Sequence, residues 1–243
     1  MHALLAAVDW HLLWRRTIGE LTSPDGQFWR ALWRTLYISV AAQLLGILLG
    51  LVAALMRMSK LGPMRWLSGL YVLIFRGTPV IVQIFFVYFG ANLLFGVNLI
   101  RDTNFGAFTL SAAVIAGIVA LGVNEGAYMR EIIRAGIDSI DRGQMEAARS
   151  MGLSRVRTYG HVILPQAIRI VVPPLGNTFV GLLKGATIMA VIAVPDMVFL
   201  ANELNVTLFT PFEVFAAVAV LLVVMVLFFS ALVVALERRL KIG

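Results

Sequence analysis

Asn124, Glu125 and Lys184 place an amide, a carboxyl and an ammonium group within or beside long apolar runs. Polar and ionisable groups are costly in hydrocarbon, so such positions mark a solute path or a contact between helices. Tyr128 follows Asn124 by four residues and shares its helix face. Thr178 adds a hydroxyl to the run that carries Lys184, and Glu203 lies in an acidic segment beyond it. Each has a structural alternative. Asn124 can hydrogen-bond a neighbouring helix, Glu125 can pair with Arg130 or Arg76, Lys184 can bridge helices, and Glu203 can simply be solvated. No catalytic set is assigned. The absence of cysteine excludes disulfides and thiolate metal sites, and no metal is expected. There is no G-x-x-x-x-G-K-[ST] loop, so ATP hydrolysis by that route is not expected of this chain.

The elements that must hold these groups are long and apolar. Of 243 residues, 60% are hydrophobic and the mean hydropathy is +0.90. Uncharged runs extend over 36–56, 77–100, 103–124 and 214–236, and the run 170–195 is broken only by Lys184. About 20 helical residues cross a 30 Å hydrocarbon core, so each run is long enough. None alternates as a barrel strand does. Backbone amides in lipid must bond internally, which leaves helices. The expected fold is all-α: a polytopic membrane protein with five transmembrane helices, an N-terminal interfacial helix and a cytoplasmic helix. Residues 1–27 form the interfacial segment and 28–243 the membrane domain. No basic stretch precedes the apolar segment 1–14, so a cleaved signal peptide is not expected.

The net charge of +7 lies at the ends of the spans, which argues for a bilayer and against nucleic acid. Arg57, Lys60 and Arg65 follow the first run. The stretch 129–169 holds seven arginines, whereas 196–213 holds no basic residue and three acids. The tail has Arg238, Arg239 and Lys241. The positive-inside rule then puts the first and third loops and the C-terminus in the cytoplasm, with the N-terminus outside. Arg15, Arg16, Arg30 and Arg34 oppose that rule. With Trp10, Trp14, Trp29 and Trp33 beside them, they read as an interfacial helix whose arginines snorkel. Pro79, Pro173–Pro174 and Gly176 interrupt the spans, either as packing kinks or as part of a path.

The loop at 141–166 is the most informative segment. Residues 143–151 form a short helix, Gly152 ends it in a left-handed turn, and Ser154 caps a second helix. Ala147 and Ala148 give a low-relief surface, and Glu146 and Arg149 share a face. Glu146-Ala147-Ala148, Gly152, then Leu164-Pro165 resemble the EAA loop of bacterial ABC importer permeases, with Val162 where isoleucine is usual. Phe75-Arg76-Gly77-Thr78-Pro79, Val82-Gln83, Gly126-Ala127-Tyr128, Pro173-Pro174-Leu175-Gly176-Asn177 and Leu183-Lys184 narrow the resemblance to polar amino-acid permeases of the histidine and glutamine type. The likeness covers roughly 28–240. One departure is Gly185-Ala186-Thr187, where that subfamily has an acid followed by hydroxyls after the lysine.

The resemblance implies a second permease subunit, identical or homologous, and two ATP-binding cassette subunits that hold ATP and Mg. It also implies an extracytoplasmic solute-binding protein and a bacterial cytoplasmic membrane. No cofactor is expected on this chain. Glu146, Ala147, Ala148, Arg149, Gly152, Leu153 and Ser154 would couple it to the ATPase. A free amino acid carries an ammonium and a carboxylate, so Asn124, Glu125, Tyr128, Thr178, Lys184 and Glu203 are the candidates for its path. An ion-coupled secondary transporter is the alternative, but such proteins usually contain two related halves. No internal repeat is evident here.

Overall fold

The computed structural model describes residues 26–90, 93–94, 100–104, 106, 109–209 and 211–239. The N-terminal interfacial helix expected over 1–27 falls almost wholly outside them. Nothing between Gln27 and Met58 stops a helix, and α1 spans all 32 residues. Trp29, Arg30, Trp33 and Arg34 therefore form its first turns, instead of belonging to a separate interfacial helix as expected.

The first loop is shorter than the charge pattern implied. Only Ser59, Lys60 and Leu61 separate α1 from α2 (Gly62–Gly77), because Pro63 starts a new helix. Arg65 and Arg76 thus lie on α2. Pro79 then breaks the chain, and α3 (Val80–Phe85) continues as a wider turn over Phe86–Gly90. The two pieces meet at 105°. The run 77–100, expected as a span of its own opened by Pro79, instead supplies in Val80–Gly90 the second limb of a bent pair.

A two-residue antiparallel pairing follows, with Thr103 opposite Leu110 and Asn104 opposite Thr109. Asp102 accepts from the Ala112 amide at 2.7 Å, at the start of α4 (Ala112–Asp138). Next come α5 (Arg142–Ser150) and α6 (Arg155–Thr158). A wide turn over Tyr159–Ile163 leads into α7 (Leu164–Gly185). Pro173 and Pro174 do not interrupt α7; the helix tightens only at Ala186–Ile192. Neighbouring helices support α7 on both sides of the prolines. Gly176 faces Val233 so closely that an added Cβ would lie 2.6 Å from it. The acidic segment expected as a loop contains α8 (Met197–Leu208), and α9 (Pro211–Arg239) closes the fold.

Among the described residues, four helical stretches are long and apolar enough to cross a membrane: Gln27–Met58, Ala112–Asp138, Arg155–Ile192 and Pro211–Arg239. The bent pair makes a fifth if counted as one span. The central seam joins α1 to α4. A Cβ at Gly46 would lie 2.9 Å from the Glu125 Cβ, and one at Gly50 would lie 2.9 Å from the Arg130 amide nitrogen. Positions therefore advance together along both helices, so α1 and α4 run parallel, as first and third spans must. Around the seam, Ile38, Ala42, Leu121, Leu182 and Met189 belong to the main buried cluster.

Asp196 caps α8 by accepting from the Phe199 amide at 2.8 Å. Arg34 reaches the same corner and donates to the Pro195 carbonyl at 2.6 Å. Burial pushes the Asp196 carboxyl up to about 6, partly opposed by its amide hydrogen bonds and by Arg34.

The seam generates a test. Gly50→Leu forces a side chain between closely packed backbones and should lower stability by about 1–3 kcal/mol. Gly69→Ala, where an added Cβ meets nothing within 4 Å, should not. Unfolding of the purified protein in detergent measures both, and equal stability of the two variants would contradict the packing.

Candidate functional site

Two regions gather the groups singled out above. The first is the bend between α2 and α3. Breaking a helix there frees backbone carbonyls that need donors. Gln83, buried on α3, supplies one amide group to three acceptors: Phe75 O at 2.9 Å, Thr78 O at 3.1 Å and Thr78 Oγ1 at 2.9 Å. Asn124 on α4 donates to Phe75 O at 2.7 Å and to Gln83 Oε1 at 3.2 Å. Tyr71 donates to the Val123 carbonyl at 2.6 Å. The corner is thus tied to α4 by side chains from both limbs.

Arg76, Gly77, Thr78 and Pro79 are nonetheless exposed on its outer side. The Arg76 guanidinium lies 4.9 Å from the centre of the Tyr128 ring. That geometry is a cation–π contact. Lys184 is exposed and shares a groove of about 490 Å³ with Val80, the first residue of α3. Asn124, Tyr128 and Lys184 are therefore gathered around the bend.

Glu125 and Thr178 lie elsewhere. Glu125 is buried beside Gly46 in the α1–α4 seam, with Thr178 as a hydrogen-bonding neighbour. The expected pairing with Arg130 or Arg76 is not formed. Arg130 instead contacts Glu131 and donates to Ser68 Oγ at 3.2 Å, while Arg76 lies over Tyr128. The side chain at 125 lies in the seam against Gly46 instead. Glu203 is exposed on α8 and is not part of either region.

The second region is the loop helix α5. It begins one residue earlier than expected because Asp141 caps it, accepting from the Gly143 amide at 2.6 Å. Gly152 has φ +81°. The Leu153 amide donates to Ala148 O at 3.2 Å and the Gly152 amide to Arg149 O at 2.9 Å. This pair of bonds is the Schellman closure of a helix C-terminus. Ser154 then caps α6 through the Arg157 amide at 3.4 Å. Ala148 is buried, whereas Glu146, Ala147 and Arg149 face out. Glu146 and Arg149 share a side of the helix yet form no ion pair with each other.

Two features escaped the sequence reading. Gln83 was visible as a lone amide in an apolar run, but only the bend shows what it bonds. Met151 and Val156 are each 82% exposed on the loop, and no periodicity could reveal that.

Residues 46–242 match the family described as binding-protein-dependent transport system inner membrane component. The probable glutamine ABC transporter permease GlnM of Bacillus subtilis is 38% identical over 209 residues, covering 86% of this chain and 91% of that protein. The glutamine transport system permease GlnP of Escherichia coli K12 is 34% identical over 229 residues, covering 88% and 98%. A crystal structure of an amino acid ABC transporter with histidines has a TM-score of 0.81 at 36% identity, covering 96% of this chain and 99% of the other. The methionine transporter MetNI, at 19% identity and TM-score 0.69, shares the fold. On this evidence the chain belongs to the family of inner membrane components of binding-protein-dependent transport systems.

Proposed function

We propose that this chain is the permease through which an ABC importer moves a polar amino acid into the cytoplasm. As in its relatives, hydrolysis of ATP takes place on a partner chain. The observation that carries the reading is the capped helix α5, set between two membrane-crossing helices and presenting an exposed face. Such a helix can pass a push from a soluble partner into α4 and α7. Two permeases, two ATPases binding ATP and Mg, and an external solute-binding protein complete the assembly we infer. Residues 1–27 stand apart from the membrane domain 28–243 in this reading. Family membership leaves no need for the ion-coupled alternative.

The solute path runs past the bend, where Arg76 to Pro79 are exposed and Asn124, Tyr128 and Lys184 converge. Lys184 and the Thr178 hydroxyl suit a carboxylate, and Glu125 suits an ammonium if the seam opens during the cycle. Glu203 belongs to the outer face where the solute is delivered. Glu146, Ala147, Ala148, Arg149, Gly152, Leu153 and Ser154 belong to the ATPase contact, to which we add Met151 and Val156. The C-terminus lies in the cytoplasm and the N-terminus outside.

Three measurements test this reading. In a cysteine-free chain, Ser154→Cys should resist an impermeant thiol reagent added to intact cells, whereas Val206→Cys should react. Labelling of position 154 from outside would overturn the orientation. Gly152→Asp should strain the left-handed turn by about 1 kcal/mol or more and put a charge in the dock. The purified mutant permease should fold yet lose ATPase association or coupled uptake; full solute-stimulated hydrolysis coupled to uptake would refute the coupling role. Gln83→Ala strips the bend of its donor and should cost about 1–3 kcal/mol for the unsatisfied carbonyls. Uptake should fall while ATPase association persists, and unchanged transport would remove the bend from the path.

A further inference from the structure

The first and last membrane-crossing helices leave a gap between them. α1 and α9 each pack on α7 and α8, yet scarcely touch one another. A groove of about 350 Å³ lies between them. Phe28, Trp29 and Trp33 line it from α1, and Val224, Phe228 and Phe229 line it from α9. The Phe229 ring meets Phe179 of α7 edge-on, with centroids 5.4 Å apart, so α7 backs the groove. No charged side chain lines it among the described residues. The lining runs from Phe28 to Leu36 on α1 and from Leu221 to Phe229 on α9, about 12 Å along each helix. The groove is therefore narrow, apolar and aligned with the two helices.

Its end near the start of α1 has a different character. Trp29 and Trp33 are 47% and 64% exposed there, and indoles favour the headgroup level of a bilayer. Arg30 stands one residue after Trp29 and three before Trp33. It is exposed and has no ion-pair partner among the described residues. Helical side chains lean toward the N-terminus, so its guanidinium reaches outward, past the mouth of the groove. Arg34, one turn on, already donates to the Pro195 carbonyl. Glu213 precedes Leu221 by eight residues on α9, about 12 Å further out, and forms no ion pair with Arg30.

An apolar slot with a free guanidinium at its outer end matches an amphiphile with an anionic head. A polar solute finds no hydrogen-bond partner inside it. A second copy of this chain fits poorly, because a two-fold contact would set Arg30 against Arg30. We propose that the groove seats one acyl chain of an anionic phospholipid, whose phosphate is held by Arg30 in the leaflet where α1 begins. A guanidinium can hold a phosphate through two parallel hydrogen bonds. Helices in lipid are held by packing, not by hydrophobic drive. The acyl chain supplies the packing that α1 and α9 lack between themselves, and so ties the first span to the last.

Native mass spectrometry of the purified full chain tests the site. The protein is titrated with phosphatidylglycerol or phosphatidylcholine carrying the same acyl chains. Wild type should hold one phosphatidylglycerol about fivefold more tightly than phosphatidylcholine. Arg30→Gln should abolish that preference and leave phosphatidylcholine binding unchanged. Val224→Trp fills the groove from a position 59% exposed and should lose both lipids. Val223→Trp makes the same change one step round α9, where the side chain is 55% exposed and outside the lining, and should bind as wild type does. Equal affinity of wild type for the two lipids would overturn the anionic headgroup. Binding untouched by both Arg30→Gln and Val224→Trp would overturn the site. Equal loss in the two tryptophan variants would overturn the groove, since any bulky residue on that helix would then suffice. A disulfide between two Val224→Cys chains in the membrane would put a second copy there and overturn the lipid as occupant.

Discussion

The close approach of α1 and α4 is the constraint on which the rest of the structure depends. In lipid there is little hydrophobic drive between apolar helices, so packing and interhelical hydrogen bonds must hold them. Gly46 and Gly50 on one side, with Gly122 and Gly126 on the other, let the two backbones come close. That contact fixes which faces remain for other elements. The bent pair α2–α3 fastens to α4 through Tyr71, Gln83 and Asn124. Ser68 on α2 also reaches the Ala53 carbonyl of α1 at 2.7 Å, and Arg130 of α4 joins it there. The seam therefore acts as a post, and the other helices attach to it by polar groups.

The bend is the price of placing irregular backbone at membrane depth. Each carbonyl released by Pro79 needs a donor that lipid cannot provide. Gln83 answers two of them with one amide, and Asn124 shares the load at Phe75. These amides are consumed by structure in this conformation. What the corner leaves exposed is mainly Gly77 and Thr78, with the Arg76 and Lys184 side chains nearby. Asn124 ties the corner to α4, and rearranging its hydrogen bonds would change the corner's shape.

The sequence disclosed the parts set by local chemistry. Gly152 was legible because a left-handed helix terminus favours glycine, and Ser154 because hydroxyls cap helices. The long apolar runs were legible because hydrocarbon thickness dictates their length. What was hidden depends on long-range partners. The 105° corner could be suspected at Thr78-Pro79, but its first limb was taken for a loop because Arg65 and Arg76 look like loop charges. The acidic stretch concealed α8 for the same reason: its acids read as loop charges until Asp196 is seen to cap the helix at Phe199. Pro173–Pro174 misled in the other direction, since packing held α7 helical through a pair that breaks isolated helices. The orientation of Glu125 could not be read at all. A helical wheel gives its angle but not the glycine opposite.

The loop helix and the bend lie on elements that share α4. The Arg134 side chain joins Glu131 and Asp138 near the C-terminal end of α4, just before the chain turns toward α5. Asn124, about two turns earlier than Glu131, holds the corner between α2 and α3. A rigid helix carries displacement along its length with little loss, because bending it would stretch its own hydrogen bonds. A push at α5 that tilts α4 must therefore act on the Asn124–Phe75 bond and on the seam with α1. Glycines at the seam seat Leu45, Leu49 and Glu125 directly against the facing backbone, so such a tilt is carried across the seam to α1. The same small residues that bring the helices together thus couple α4 to α1, and α4 links the loop to the corner through one element.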